Sequence, residues 1–399
     1  MKLVVFYDIP YYESDGSSYL QFGYSGYFNQ MVELAKEFDE LIIYAPCIAT
    51  PIVIEPSEKI IHEYIHFRPL RKGIHVSKKD FFLSFFLYKK RIKEIIDTHK
   101  DDAIFLAYVP GSFVGILAAY ILKKMSVRYF LRVTAYLGGE FRVRNTIFLK
   151  NILVSIVQPF LDRGMMWLLR GALVFYSGKV LYGAYPGHYS VISASFNKDI
   201  IVRRMDACTH PQVHILYVGV LDERKGIIYL IEAVKKMRDT SIDARLTIVG
   251  GGWGKSSEEN VRTLVNQYAL NDFVHFAGWI PFGDALFESY KKADIFIFPT
   301  LYDIQGKVTL EAMAFGVPVI ASDVGGVSSV VIHEHNGLLV QPKSPEAIYD
   351  AALRYIKDDT LRLTCIQNGY IMAEACTIET QVDFMFKKIQ DCFTVDSDL

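Results

Sequence analysis

Cysteine is scarce and follows no pattern. The five residues, Cys47, Cys208, Cys365, Cys376 and Cys392, are scattered and odd in number. No two stand at metal-site or redox-motif spacing, which excludes a disulfide framework and a zinc ribbon. No Asn-x-Ser/Thr triplet occurs. A strong net charge is also missing: 43 Lys and Arg oppose 44 Asp and Glu, for a net charge of -1. Nothing in that balance points to nucleic acid. The opening run Leu3–Tyr7 meets Asp8 and is too short for a signal peptide. The expectation is a reducing, cytoplasmic setting. Only one apolar run, Ala103 to Leu122, has about the length of a membrane span. Pro110, Gly111, Ser112 and Gly115 interrupt it. It reads as a buried strand over Ala103–Tyr108, a turn, and a helix from about Ser112.

What remains is a chain of 399 residues, 51% hydrophobic and 22% charged, enough for two well-packed domains. Charge is unevenly spread. Between Arg68 and Lys100 stand Arg68, Arg71, Lys72, Lys78, Lys79, Lys89, Lys90, Arg91, Lys93 and Lys100, opposed only by Asp80, Glu94 and Asp97. A basic first half suits an anionic surface or ligand, or is a solvated charged face. The order of elements is regular. Strands are expected at Leu3–Tyr7, Leu41–Tyr44, Ile60–His66, Ala103–Tyr108, Arg128–Val133 and Leu173–Tyr176, with a polar, Gly-containing loop after the first and a helix over Ser25–Phe38. The second half alternates more cleanly. Strands at His214–Val220, Leu246–Val249, Val274–Gly278, Asp294–Pro299 and Pro318–Ser322 are separated by helices at Ile227–Met237, Glu258–Tyr268, Asp284–Lys292 and Thr309–Phe315. Such alternation predicts parallel sheets covered by helices. Asp206–Gln212, with Cys208-Thr209-His210-Pro211, reads as the linker. A ligand is expected beyond the carboxyl ends of the strands.

The densest chemistry lies between Asp294 and Val319. A strand ends at Pro299, a loop carries Asp303, Gln305 and Gly306, and a helix follows with Glu311 about one turn in. A helix N-terminus offers unpaired N–H groups and partial positive charge, which suit phosphate. Gly306 lets backbone approach a ligand. Glu311 can accept two hydroxyls of a ribose, or is an acid placed for the helix dipole.

This segment, Asp303-Ile304-Gln305-Gly306-Lys307-Val308-Thr309-Leu310-Glu311-Ala312-Met313-Ala314, resembles the signature of glycosyltransferase family 4, retaining enzymes of the GT-B fold (glycosyl transferases group 1). Their pattern is Glu-Gly-Phe-Gly-Leu-Val-x-Leu-Glu-Ala-Met-Ala. Val218-Gly219-Val220-Leu221 with Lys225-Gly226, Ile248-Val249-Gly250-Gly251-Gly252, Phe276-Ala277-Gly278, Asp323-Val324-Gly325-Gly326 and Asn336-Gly337-Leu338-Leu339-Val340 are similar to further motifs of that family. The resemblance covers most of the second half.

It implies an α/β protein of two Rossmann-like, doubly wound domains facing across a cleft: 1–205 for the acceptor, 206–376 for a nucleotide-sugar donor, and 377–399 as a helix crossing back to the first domain. It implies that Lys225 contacts the donor diphosphate and Glu311 the ribose. Asp303, with the backbone of Gln305, Gly306, Lys307 and Val308, would hold the donor sugar. Gly219, Gly250 and Gly251 would line the nucleotide, and Gly23 and Gly26, ahead of and within the first helix, the cleft. The donor would be a UDP- or GDP-sugar, used without metal and without a further cofactor. The acceptor would be a glycan or lipid-linked glycan in surface polysaccharide synthesis. The sequence departs from the pattern at Asp303, one methylene shorter than Glu, at Val220 in place of an Arg, at Ile304 in place of Gly, and at Lys307 in place of an apolar residue. Lys307 at a helix start can supply positive charge near phosphate. Arg132 at a strand end can face the diphosphate or simply pack. A non-catalytic nucleotide-sugar-binding subunit and a sugar-nucleotide epimerase are the alternative readings.

Three further patterns stand in contexts that bear on their meaning. His62-Glu63-Tyr64-Ile65-His66 matches a zinc-protease pattern that requires a helix, but its β-branched, alternating surroundings predict a strand. Gly254-Lys255-Ser256 resembles the end of a phosphate-binding loop, but the required first Gly is Val249. Lys78–Lys93 is aromatic and flanked by basic residues, which suits peripheral contact with an anionic membrane surface or packing within the first domain.

Overall fold

The computed structural model describes residues 1–7, 11–14, 17–20, 25–47, 58–59, 63–72, 84–109, 113–133, 148–176, 188–192, 194–251 and 255–393. The chain forms two compact units, one of residues 1–191 with 381–399 and one of residues 192–380.

Unit 1 is built on a sheet whose centre is parallel: β1 (Lys2–Phe6), β4 (Glu40–Cys47), β6 (Ile65–Lys72), β7 (Ala103–Val109), β8 (Tyr129–Val133), β9 (Leu173–Tyr176) and β10 (His188–Ser190). The strand order is β10-β9-β8-β7-β1-β4-β2-β3-β5, with β6 also on β4. The edge is antiparallel: β2 (Tyr11–Ser14) pairs with β3 (Ser17–Leu20), which pairs with β5 (Glu58–Lys59). Every residue of β7 is buried, as a parallel strand covered on both faces requires. One face is packed by Ile92, Ile95 and Ile96 of α2 (Phe85–His99), Val114, Leu117 and Ile121 of α3 (Phe113–Met125), and Met165, Leu168 and Leu169 of α4 (Phe148–Leu169). α1 (Ser25–Ala35) precedes β4. The apolar run from Ala103 is thus a strand followed by a separate helix, with 110–112 outside the described residues. Among the described residues no helix is long and apolar enough to cross a membrane.

Unit 2 holds six strands, all parallel: β11 (Gln212–Val218), β12 (Asp243–Val249), β13 (Val274–Gly278), β14 (Ile295–Phe298), β15 (Val319–Ser322) and β16 (Leu338–Val340). Their order is β13-β12-β11-β14-β15-β16. One face buries Leu230, Ile231 and Val234 of α5 (Ile227–Asp239), Val261 and Val265 of α6 (Lys255–Gln267), and Ile348 and Tyr355 of α9 (Pro345–Lys357). The other buries Leu286 and Tyr290 of α7 (Asp284–Lys292), Leu310 and Met313 of α8 (Lys307–Ala314), and Ala373 of α10 (Asp359–Ala375). Helices on both faces make the sheet doubly wound. The connections reverse direction at β11, which lies between β12 and β14, so the ligand position for such a sheet is at the carboxyl ends of these strands.

The sequence expectation ended the first domain at 205; residues 192–205 instead belong to unit 2. Ala194 and Phe196 are part of its core, Val202 N–H donates to Ala314 O (2.9 Å), and Arg204 Nη1 donates to Ala293 O (2.6 Å). The linker expected at 206–212 is likewise tied down. Asp294 accepts from the N–H of Cys208 and of His214, both at 2.9 Å. Asp206 takes the guanidinium of Arg362 at 2.7 Å. The last helix, α11 (Ile378–Phe393), packs on unit 1: Phe386 meets Phe38 edge-on at 5.6 Å, and Met385 lies 3.8 Å from Arg132.

Candidate active site

Three loops meet at the carboxyl ends of β11, β12 and β13. Gly219 N–H donates to Val249 O (3.0 Å), Leu221 N–H to Gly251 O (3.0 Å), and Gly250 N–H to Gly278 O (2.8 Å). A side chain at Gly250 would overlap the carbonyl oxygen of Gly219, so the residue type follows from the closeness of the loops. Beneath them Tyr217 is fully buried, and its hydroxyl donates to Val220 O (2.9 Å).

Lys225 ends a short turn, Glu223–Lys225, before α5. The next residue, Gly226, has φ 63°, and a Cβ there would strike Pro299 O. Leu301 N–H donates to Arg224 O (2.6 Å), and the Thr300 hydroxyl lies 3.1 Å from the same oxygen. These bonds lock the turn to the end of β14. The result is a half-buried ion pair: Lys225 Nζ is 2.6 Å from Asp303 Oδ2 and 5.2 Å from the centre of the Phe298 ring. The other oxygen of Asp303 accepts from Gln305 N–H (2.9 Å) and Gly306 N–H (2.7 Å). Burial pushes the Asp303 carboxyl up, but the charge and hydrogen bond of Lys225 and the two N–H groups outweigh it and hold it below its ordinary range. Gly326 N–H donates to Asp303 O (3.0 Å), and side chains at Gly325 or Gly326 would overlap the 303–304 backbone. The Gly-Gly pair of the sequence is the seat of this loop.

Gly306, at φ 66°, directs the chain into α8. Gln305 and Gly306 have given their N–H groups to Asp303, and Thr309 N–H donates to Gly306 O (2.9 Å) in the first turn of α8. Glu311 lies inside this helix and is buried. Its Oε2 accepts from the Tyr290 hydroxyl at 2.8 Å, and Ser195 donates to the same carboxyl. Burial raises its pKa above the ordinary carboxyl value, with Tyr290, Ser195 and the charge of Lys307 pulling the other way.

The structure therefore brings Lys225, Asp303, Gln305 and Gly306 together directly, and stacks Gly219, Gly250 and Gly251 beside one another. Lys307 opens α8 and Val308 packs against the core. Gly26 lies in the first turn of α1 in unit 1, and Gly23 lies outside the described residues. Arg132 is buried on β8 in unit 1. His66 lies on strand β6, not a helix, while His62 lies outside the described residues. Gly252 and Gly254 also lie outside them. Sequence reasoning missed Tyr290 and Ser195 as holders of Glu311, and Asp222, whose Oδ2 fixes Arg224 at 2.7 Å. Only the place of Tyr290 on the apolar face of its helix hinted at a buried hydroxyl. Among the described residues no group of three or more His, Cys, Asp or Glu is placed to hold a metal. A cavity of about 480 Å³ elsewhere in unit 2, lined by His214, Thr247, His275 and Ser289 among others, includes none of Gly219, Lys225, Gly250, Asp303, Gln305, Gly306 and Glu311.

The fold and this set of loops define a Rossmann-like unit whose glycine loops and helix start gather at the carboxyl ends of its strands. Residues 209–372 match the family model Glycosyl transferases group 1. An uncharacterized glycosyltransferase of Methanocaldococcus jannaschii is 36% identical over 192 residues, 48% of each chain. The chain thus spans about half the length of the curated relatives it matches. Over the whole chain the fold is similar to sucrose-phosphate synthase from Thermosynechococcus elongatus (TM-score 0.71, 20% identity, covering 99% of this chain and 100% of that one). It is also similar to HepE of Anabaena in complex with UDP (TM-score 0.69, 13% identity, 98% and 100%). The two Rossmann-like units are those of the GT-B fold.

Proposed function

We propose that the protein is a retaining glycosyltransferase of family 4. It moves a sugar from a nucleotide-diphosphate sugar to an acceptor hydroxyl of a glycan or lipid-linked glycan, in surface polysaccharide synthesis. The observation that carries this reading is the Lys225–Asp303 pair at the start of α8. It places a fixed cation beside a helix N-terminus in the domain that matches the family model. Lys225 and the first turn of α8 stabilise the diphosphate as it leaves. Glu311 accepts the ribose hydroxyls. The bond from the anomeric carbon to phosphate oxygen breaks, the acceptor oxygen bonds to that carbon on the same face, and its proton passes to the departing phosphate. No enzyme nucleophile and no metal is required. The UDP bound to the Anabaena neighbour favours a UDP-sugar over a GDP-sugar as donor.

Residues 192–380 would then hold the donor and residues 1–191 the acceptor. A lipid-linked acceptor suits a cytoplasmic protein at the inner membrane face. On α2, Phe86 is 80% exposed, and Leu87, Lys89, Lys90, Arg91 and Lys93 are exposed beside it. Aromatic and basic groups together suit an anionic bilayer. A donor-binding subunit without turnover is the second reading, favoured by the engagement of both Asp303 oxygens within the protein.

The test is a panel of nucleotide sugars incubated with the protein, with and without a glycan acceptor, reading released nucleoside diphosphate. Release with one donor, lost in Lys225→Ala and Glu311→Ala, supports the transferase. Binding of a donor without release under any condition supports the subunit. Neither binding nor release overturns both.

A further inference from the structure

The cavity of about 480 Å³ in unit 2 lies between one side of α7 and one face of β11, β12 and β13. Ala285, Glu288, Ser289 and Lys292 line it from the helix, at the three- and four-residue spacing that puts them on one side. Leu286 and Tyr290 are buried elsewhere on that helix. Leu216, Thr247 and His275 line it from the sheet and stand abreast in the parallel register, with His214 two residues before Leu216 on the same face. Parallel strands covered by helices are ordinarily apolar on both faces. Here His214 and His275 are exposed and Thr247 is partly buried, so this face stays open. The cavity has two unlike ends. At one, Asp294 N–H donates to His214 O (2.8 Å), which brings the end of α7, with Lys292, to His214. At the other, where β13 leads into α7, Ala277, Ile280 and Ala285 form an apolar wall. Glu288 is the single acid of the lining, and it pairs with Lys291 at 2.8 Å. Lys292 therefore leaves the lining in positive excess. Ammonium, imidazole N–H and hydroxyl groups all donate to an oxyanion. Such a volume, mostly apolar with a few convergent donors, has the character of a small-molecule site.

We propose that this cavity is a second ligand site, for a small organic phosphate, and that its occupancy strengthens nucleotide binding. The phosphate meets Lys292 and His214, and the organic body lies against Ala277, Ile280 and Ala285. The link to the donor loops is α7 itself. Ser289 faces the cavity, and the next residue, Tyr290, donates its hydroxyl to Glu311 at 2.8 Å. A ligand clamped between α7 and the strands holds that helix, and through Tyr290 the Glu311 carboxylate, in place. The strengthening rests on the donor-site reading of Glu311; the ligand site does not.

Calorimetric titration of the full chain with phenyl phosphate, phenol and inorganic phosphate tests the site. The Lys225→Ala protein is the reference, so that phosphate held at the donor loops does not count. Phenyl phosphate is expected to bind it about tenfold more tightly than either half alone, since the ester uses both ends of the cavity. Lys292→Ala and His214→Leu are each expected to weaken the ester about tenfold. Ala285→Phe, at an exposed position, fills the apolar end and is expected to abolish binding without removing a polar group. No binding of the ester, binding no tighter than that of inorganic phosphate, or binding untouched by all three substitutions overturns the site. In wild-type protein the ester is expected to tighten UDP or GDP binding about fivefold, and the diphosphate to tighten the ester by the same factor. Tyr290→Phe is expected to remove that mutual effect and keep ester binding. Ester and diphosphate that bind independently overturn the coupling while the donor-site reading stands. Wild-type protein that binds neither UDP nor GDP overturns that reading and the coupling together, and the ester titrations still decide the site.

Discussion

Among the described residues the two units bury polar groups very differently. Within unit 2 lie Asp294, Thr300, Gln305, Thr309, Glu311, Asn336 and Arg362, whereas the described part of unit 1 buries Gln30, Ser84 and Arg132. Both units are parallel sheets wrapped in helices, so the fold does not demand the difference. A buried polar group is unfavourable unless bonded, and each one in unit 2 has a position to hold. Asp294, Asn336 and Arg362 fasten loops and the 192–212 segment: Asn336 accepts from Ile332 N–H (2.6 Å) and donates to Val330 O (2.9 Å). Thr300, Gln305 and Glu311 surround the start of α8. Unit 1 buries Arg132, but Lys89, Lys90, Arg91 and Lys93, the basic residues described on α2, lie outside. One sheet spends its polar groups on fixing loops, and the other on its surface.

Disrupting the fastening set should have the largest effect. Arg362 is 3% exposed in its side chain and binds Asp206, Asp359 and Tyr355 O. Arg362→Ala leaves Asp206 without its partner and is expected to lower unfolding free energy by about 3–5 kcal/mol in urea titration. A loss below about 1 kcal/mol would remove the distinction between the units. Next comes Lys225→Ala, expected to reduce nucleoside diphosphate release by about 10²–10³-fold, as removal of a group stabilising developing charge does. Its stability should change by less than about 1 kcal/mol, because the ion pair is partly solvated.

Tyr290→Phe is smaller, about 1 kcal/mol for one hydrogen bond. It also has a pH signature. The pKa of Glu311 is raised, so its contribution to stability is full below the unfolded value of 4.5 and fades as pH rises through the folded one. Donor binding that uses its carboxylate strengthens over the same range. Removing the Tyr290 hydroxyl should move that acidic limb to higher pH in a binding titration. Asp303 behaves in the opposite sense: its contribution is present above 3.8 and lost as pH falls through its depressed pKa. The smallest effect is expected in unit 1. Replacing Lys89, Lys90, Arg91 and Lys93 by Ser should leave nucleotide binding within about twofold while weakening adsorption to anionic vesicles, at about 1 kcal/mol per charge.

Most of the parallel framework was legible because its strands are continuous apolar runs and its helices amphipathic. The antiparallel edge was not. Tyr11–Ser14 and Ser17–Leu20 pair as a hairpin with Ser14 opposite Ser17, although the segment reads as a polar loop. Its Asp15-Gly16 pair was the hairpin signal, unsupported by alternation of apolar residues. The boundary at 205 failed for a related reason. Ile192–Asp206 has no regular period, and only its bonds to Ala293, Ala314 and Tyr370 show which unit owns it. In the site, local spacing marked Asp303, Gly306 and Glu311. It could not reveal that Asp303 reaches back to Lys225, or that Tyr290 and Ser195 hold Glu311. Those are contacts between distant segments, which periodicity does not encode.

The central claim is that nucleotide binding resides in unit 2 at Lys225 and the start of α8. Calorimetric titration of UDP and GDP into the full chain tests it most directly, comparing wild type, Lys225→Ala and the four-residue α2 variant. The account expects one nucleotide to bind wild type and the α2 variant alike, and to bind Lys225→Ala far more weakly. Binding that survives Lys225→Ala but fails in the α2 variant would contradict it.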